Sequence, residues 1–442
     1  MANQQTRRIN RRRFLRTTAA AAGTMATPYL IPRSVLASEE SLGANDRIGI
    51  AGIGIGRRGG GVFENCVRSK HGQAVAVADV NSKTAGRMAA KYKIDAYKDY
   101  QELLERKDVD AIVTATPDHW RALVCIHACQ AGKDLYAEKP MTLTIREGRL
   151  MVEAVRKYKR VFQTGSQQRS QKENRFGCEL IRNGRIGKIK EVIGHNYPSP
   201  WECALPAQPV PSELDWDMWC GPNELVPYNK DLCTPRAMPG WISFRPYSGG
   251  EMTGWGAHGL DQIQWALGMD ETGPVEIWTE GPKFDAPTYS KPESRARGEK
   301  MCSSPMVFFR YANGITVKLD NGNPGGAIFV GEEGKIEIFR GRVTSNPTEL
   351  VEEPIGADEI HLYKSDNHTE NWLECIKSRE KPICDVEIGQ RSTTLCHLGN
   401  IARWAGRKLQ WDPEKEVFVG DEAANQFLDR SRRKGYELPE TV

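Results

Sequence analysis

Three groups of residues have types and spacing suited to chemistry, and each falls at the end of an apolar run. Gly54-Ile55-Gly56-Arg57-Arg58-Gly59 follows the run Ile48 to Ile53 and opens a helical stretch. Positions without a Cβ let backbone amides approach a pyrophosphate at a helix N-terminus. Asp79 stands twenty residues past Gly59, after a second apolar run; a carboxylate there accepts both ribose hydroxyls and repels a 2′-phosphate. Tyr136-Ala137-Glu138-Lys139-Pro140 ends a further run with an adjacent acid and base, stopped by a proline. Strand C-termini are where doubly wound sheets hold their ligands.

Taken singly, the glycines are an ordinary tight turn, Asp79 a surface acid and Glu-Lys-Pro a solvated corner. Together, at this spacing, they indicate a dinucleotide site. Asp79 favours NAD over NADP, while Asn81, Lys83 and Arg87 keep NADP open. Gly52, Gly60 and Gly61 leave the register of the glycine turn open as well.

The elements that must position these groups alternate. Ile48 to Ile53, Ala74 to Ala78, Ala111 to Ala115, Leu135 to Ala137 and Val161 to Gln163 read as strands, separated by helical stretches. That order implies parallel βαβ units, a Rossmann-type doubly wound sheet over residues 46–165. Asp118 and His119 open a helix that stops at Gly132, and Thr144-x-x-Glu147 is a capping box.

Beyond Gly165 the texture changes to Trp-, Pro- and Cys-rich loops between Pro198 and Pro246. Alternating segments follow at Val275 to Thr279, Met306 to Tyr311, Ile315 to Leu319 and Ile336 to Phe339. Residues 166–442 therefore read as a C-terminal α/β domain on a large, mostly antiparallel sheet. Residues Asn367 to Lys377 and Gly389 to Trp404 read as closing helices, and the charged tail Asp429-Arg430-Ser431-Arg432-Arg433 as surface. A chain of 442 residues exceeds what one compact domain usually holds, so two domains are expected.

The net charge of +4 becomes −3 once Arg7, Arg8, Arg11, Arg12, Arg13, Arg16 and Arg33 are set aside. A mildly acidic body offers no electrostatic case for nucleic acid. Those arginines belong to residues 1–37, where Arg11-Arg12-Arg13-Phe14-Leu15 precedes a Thr/Ala-rich segment and Val35-Leu36-Ala37. The stretch resembles a twin-arginine signal peptide followed by a linker over 38–45, which implies export to the periplasm by the Tat machinery as a folded protein. No later apolar run approaches the roughly 20 residues of a membrane span. Eleven cysteines without paired spacing are expected to be free thiols, and Cys125 and Cys129, four apart, to be core rather than metal ligands.

The Gly54 to Gly59 turn, Asp79, Thr116-Pro117-Asp118-His119, Glu138-Lys139-Pro140 and Gly249-Gly250 through His258 together resemble the Gfo/Idh/MocA oxidoreductase family. That resemblance implies NAD or NADP as cofactor and sugars, cyclitols and their derivatives as substrates. It places Lys139 between nicotinamide and substrate hydroxyl, Glu138 at the cofactor ribose, and Thr116, Pro117 and His119 along the cofactor path, with Gln167 and Arg169 closing the pocket. His258 matches the family's general base. Many relatives carry an aspartate four residues before that histidine where this chain has Gly254, so Asp261, one turn after His258, is the expected substitute; both also suit a plain helix-capping role. Trp241, Arg245 and Tyr247 suit a sugar's apolar face and hydroxyls, or an ordinary core. His195 and His368 read as structural.

The leading function is hydride transfer between NAD and a secondary hydroxyl of a sugar, cyclitol or derivative, in a homo-oligomer paired through the second sheet's exposed face. An exported enzyme would carry its NAD tightly bound. That raises a second reading, a glycoside-cleaving cycle through a transient keto-sugar, and Gly254 raises a third, a cofactor-bound binding protein without catalysis.

Overall fold

The computed structural model describes residues 46–234, 240–291 and 300–442. The signal-like segment 1–37 and the linker 38–45 lie outside them.

Six parallel strands form the first sheet: β1 (Ile48–Ile53), β2 (Gly72–Ala78), β3 (Asp95–Tyr97), β4 (Ala111–Thr114), β5 (Asp134–Ala137) and β6 (Phe162–Thr164). Their order is 3-2-1-4-5-6, so the sheet turns away from β1 in both directions, and the crevice between β1 and β4 opens at the strand C-termini. The strand runs read from sequence hold within two residues at either end, and β3 is an addition. Its Asp95-Ala96-Tyr97 is short, edge-lying and largely exposed, and so lacks the apolar run that marks the others.

The helices bury apolar stripes on both faces. In α1 (Arg57–Arg68), Val62, Phe63 and Cys66 face β1, and no side chain caps its first turn, which leaves the amides free for an anion. In α2 (Ser82–Tyr92) Asn81 caps the start. Helix α3 (Asp118–Gln130) is buried on nearly every side. Helix α4 (Ile145–Lys157) begins at the expected capping box, where Thr144 Oγ1 accepts the Glu147 amide at 3.3 Å.

After α5 (Lys172–Arg182) the second sheet begins. It has nine strands: β7 (Ile189–His195), β8 (Glu276–Glu280), β9 (Met306–Arg310), β10 (Thr316–Asp320), β11 (Ala327–Gly331), β12 (Lys335–Phe339), β13 (Arg342–Asn346), β14 (Leu409–Asp412) and β15 (Val417–Phe418). The order is 13-12-11-7-10-9-8-14-15 and only the β7–β10 pair is parallel. Alternate residues such as Val192, Ile277, Val307, Phe309, Val317, Leu319, Phe329 and Ile336 point to one buried face. That face packs on α6 (Gly250–Gly254), α7 (Gly256–Leu267) and α9 (Val386–Ala405).

The two sheets share later elements. Helix α8 (His368–Ser378) sends Trp372, Leu373 and Ile376 into the core behind β1. The charged tail, expected on the surface, is instead anchored. Arg430 and Arg432 pair with the fully buried Glu147 of α4 at 3.0 and 2.9 Å, and Tyr436 packs edge-on against Trp120. A carboxylate this buried requires cations, and the tail supplies them. None of the eleven cysteines is in a disulfide. Among the described residues no helix is long and apolar enough to cross a membrane.

Candidate functional site

The glycine turn resolves to the register Gly54, Gly56, Gly59. Gly54 has φ +67°, and a Cβ there would lie 2.6 Å from Thr116 Cγ2, so β1 and the Thr116 loop close only around glycine. A Cβ on Gly59 would lie 2.3 Å from the Gly54 carbonyl oxygen, which brings α1 against its strand. Nothing stands within 4 Å of a Cβ built on Gly56, the residue that opens α1, so the helix N-terminus faces open space. That space is a cavity of about 650 Å³, lined by Gly54, Gly56, Arg57, Arg58 and Gly59, by Asp79, Thr116 and Pro117, and by Glu138, Lys139, Gln167, Trp241 and His258.

Asp79 follows β2 and accepts the Asn81 amide at 2.9 Å. Burial raises its carboxyl to about 6, against the pull of the Asn81 and Ile55 amides. Glu138 is held from several sides: Arg58 Nε donates to it at 2.7 Å, Gln167 at 2.8 Å, and the Lys139 amide at 3.3 Å. Gln167 also donates to Tyr136, whose ring packs edge-on against His368. A Cβ at Gly165 would lie within 3.0 Å of that carboxylate, so this glycine makes room for Glu138.

Lys139 precedes a cis proline and reaches across to α6, donating from Nζ to the Gly254 carbonyl at 2.9 Å. Below it, the buried Arg121 donates to the carbonyls of Pro140 and Thr116 and pairs with Asp118 at 3.1 Å. One guanidinium thus fixes both loops that frame the cavity. Spacing from Asp118 to Arg121 marks the pair in sequence, but the carbonyls it serves leave no trace there.

His258 lies on α7, 5 % exposed, and shares the cavity wall with Lys139. Trp255, just before α7, and Arg340, stacked 5.7 Å over its ring, complete that side. Neither was singled out from sequence. Trp241 lies in the same wall.

Five expected residues lie elsewhere. Asp261 is taken up by Arg169, which grips it at 2.8 Å and Asp270 at 2.7 Å, and by the Ser392 hydroxyl at 2.7 Å; it is absent from the cavity wall. Arg169 therefore closes an internal ion cluster rather than the pocket. His119 is buried behind the wall against Trp219 and Tyr247, its ring nitrogen 3.0 Å from the Trp219 carbonyl, and burial lowers its pKa to about 3, which keeps it neutral. Arg245 lies over Trp404 at 4.6 Å and, with Tyr247, lines a separate cavity of about 610 Å³. His195 and His368 bond to backbone carbonyls, of Gly322 at 2.7 Å and Thr164 at 2.9 Å.

Comparison with known proteins adds the following. Residues 47–166 match the model of an oxidoreductase family NAD-binding Rossmann fold, and residues 185–438 that of its C-terminal alpha/beta domain. The inositol 2-dehydrogenase of Salmonella typhimurium is 31% identical over 149 residues, 33% of this chain and 44% of that protein, so less than half of such a relative is spanned. The chain is similar in structure to an aldose-aldose oxidoreductase from Caulobacter crescentus (TM-score 0.57, 17% identity, 82% and 99% of the two chains). It is also similar to a dehydrogenase from Bordetella pertussis solved with NADH and UDP-GlcNAcA (TM-score 0.56, 17% identity, 83% and 99%).

Proposed function

Since the chain belongs to the Gfo/Idh/MocA oxidoreductase family, we propose that it oxidises a secondary hydroxyl of a sugar, cyclitol or sugar derivative, or reduces the corresponding ketone. The observation that carries this reading is that the glycine turn, Lys139 and His258 line one cavity. The open N-terminus of α1 suits the pyrophosphate of NAD, and Asp79 its adenosine ribose. Bound there, NAD supplies the acceptor for the hydride that leaves the hydroxyl carbon.

The chain's own residues do the rest. His258 removes the hydroxyl proton, and the Lys139 ammonium donates to the oxygen as negative charge gathers on it. Glu138 is fixed by Arg58 and Gln167 and orients the cofactor end of the cavity. Asp79 in place of a cation supports NAD over NADP. Identity to an inositol 2-dehydrogenase supports a polyhydroxy ring as substrate.

The test is reduction of NAD by a panel of cyclitols, aldoses and their acids, followed at 340 nm. Lys139→Met and His258→Asn should each lower kcat by about 10²–10⁴ with NAD still bound. Wild-type protein that reduces NAD with none of these, or a His258→Asn variant at full rate, overturns the proposal.

A further inference from the structure

The wall of the cavity that holds Lys139 and His258 carries far more lysine and arginine than acid, its only carboxylates among the described residues being Asp79 and Glu138. Three of its cations are paired: Arg58 with Glu138, Lys98 with Asp215 and Arg121 with Asp118. Lys139 donates to the Gly254 carbonyl, and Arg57 is the first residue of α1, where the pyrophosphate of NAD would lie. Arg340 stands apart from these. Among the described residues its guanidinium has neither a hydrogen bond nor a carboxylate partner, and it rests on the Trp255 ring at 5.7 Å.

An exposed arginine commonly sits on mobile backbone, but the backbone under this one is fixed. Phe339 pairs with Arg342 across β12 and β13, so Arg340 and Gly341 form a two-residue turn, with Gly341 at φ +67°. The Gly341 amide donates to Asn174 Oδ1 at 2.8 Å, and Asn174 Nδ2 donates to Gln262 Oε1 at 2.5 Å. Asn174 and Gln262 are both buried, and Gln262 stands one turn after His258 on α7. The tip of the hairpin is therefore tied to the helix that carries the proposed base. Trp255 makes a second tie, since its ring also meets the His258 ring at 5.7 Å. One indole separates Arg340 from His258, a spacing suited to a single sugar ring.

We propose that Arg340 is the subsite for an anionic group on the substrate, a carboxylate or a phosphate carried by the polyol. A guanidinium offers paired N–H donors that match either oxyanion as a fork, and stacking on an indole holds that fork in place without a competing carboxylate. A cation left without an anion in the same wall as Lys139 also raises the potential that draws such a substrate in. The inference takes the polyol from the hydride-transfer reading and adds its charge; the placement of Arg340 stands without that reading.

The probes are glucuronate, gluconate, glucose 6-phosphate, glucose and myo-inositol, titrated calorimetrically into NADH-bound protein and offered with NAD as substrates. At least one anionic probe should bind about tenfold or more tightly than the neutral ones, and kcat/KM should follow. The acids against the phosphate show which oxyanion the subsite takes. In Arg340→Gln, Kd and KM for that probe should rise about 10- to 100-fold, as loss of hydrogen bonds to a charged group requires. Its kcat should change less than about threefold, and NADH affinity and the neutral probes should be unaffected. Arg340→Lys keeps the charge without the fork and should recover part of the loss. The absence of any preference for an anionic probe overturns the proposal. So does a preference that survives in Arg340→Gln, or a loss in that variant that falls on NADH instead. Arg340-dependent binding of an anionic probe with no NAD reduction would sink the hydride-transfer reading and leave the subsite standing.

Discussion

Replacing Asp79 by asparagine sets stability against cofactor binding in a predictable direction. Burial lifts this carboxyl from 3.8 to about 6. At about 1.4 kcal/mol per unit, folding disfavours the carboxylate by roughly 3 kcal/mol once it is ionised. Because the folded protein holds this proton more tightly than the unfolded chain does, its contribution is fully present below about pH 4. It is lost as pH rises through about 6. Asparagine retains an acceptor for the Asn81 amide without the charge. Cofactor-free Asp79→Asn should therefore match wild type near about pH 4 and exceed it by up to about 3 kcal/mol near about pH 8. Cofactor affinity should move the other way. Hydrogen bonds to a charged acceptor are worth about 1.5–3 kcal/mol, so NAD binding should weaken roughly 10- to 100-fold. Loss of the repulsion should raise the NADP-to-NAD preference at least about tenfold. Urea unfolding at three pH values and fluorescence titration with both cofactors measure these effects. Parallel stability curves for the two proteins would refute the burial argument, and unaltered NAD affinity would remove Asp79 from the ribose site.

Arg430→Ala should cost about 2 kcal/mol near neutral pH, since it strips one of two arginines from the buried Glu147. Burial opposes ionisation of Glu147, but Arg430 and Arg432 prevail and hold its carboxyl below 4.5. The stability gap between wild type and variant in urea titrations should therefore close as pH falls below about 4.5 and on through the lower folded value. Lysines in place of Arg11 and Arg12 should keep the protein out of the periplasmic fraction, and mass spectrometry of the exported wild type should find NAD still bound; export without NAD would overturn tight retention.

The parts of the site that were legible in the sequence are local ones. The Gly54 to Gly59 turn, Asp79 and Glu138-Lys139-Pro140 each sit at the end of a strand, so hydrophobic period and punctuation place them without knowledge of the fold. Residues whose partners are remote were not legible. Arg121 serves carbonyls in two loops, and Arg169 draws Asp261 into an ion cluster. Trp241 and Arg245 show the limit most clearly. They lie four residues apart, one opening the short 3-10 turn Trp241–Ser243 and the other just past it, with no period to fix which side each faces, and they line different cavities.

Anchoring of Glu147 by the tail also dictates an order of events during synthesis. The Arg430 guanidinium meets Glu147 across 283 residues of chain and the His119 carbonyl across 311. At about 5–20 residues per second, a ribosome makes Glu147, a third of the way along the chain, roughly 15–60 s before the residue that neutralises it. Until then Glu147 must stay solvated or protonated, and α3 and α4 cannot settle against their final neighbours. The Rossmann sheet and its helices thus precede the second sheet in sequence but are among the last parts to be completed, so nascent chains should remain protease-sensitive around α3 and α4 until residues 429–438 emerge.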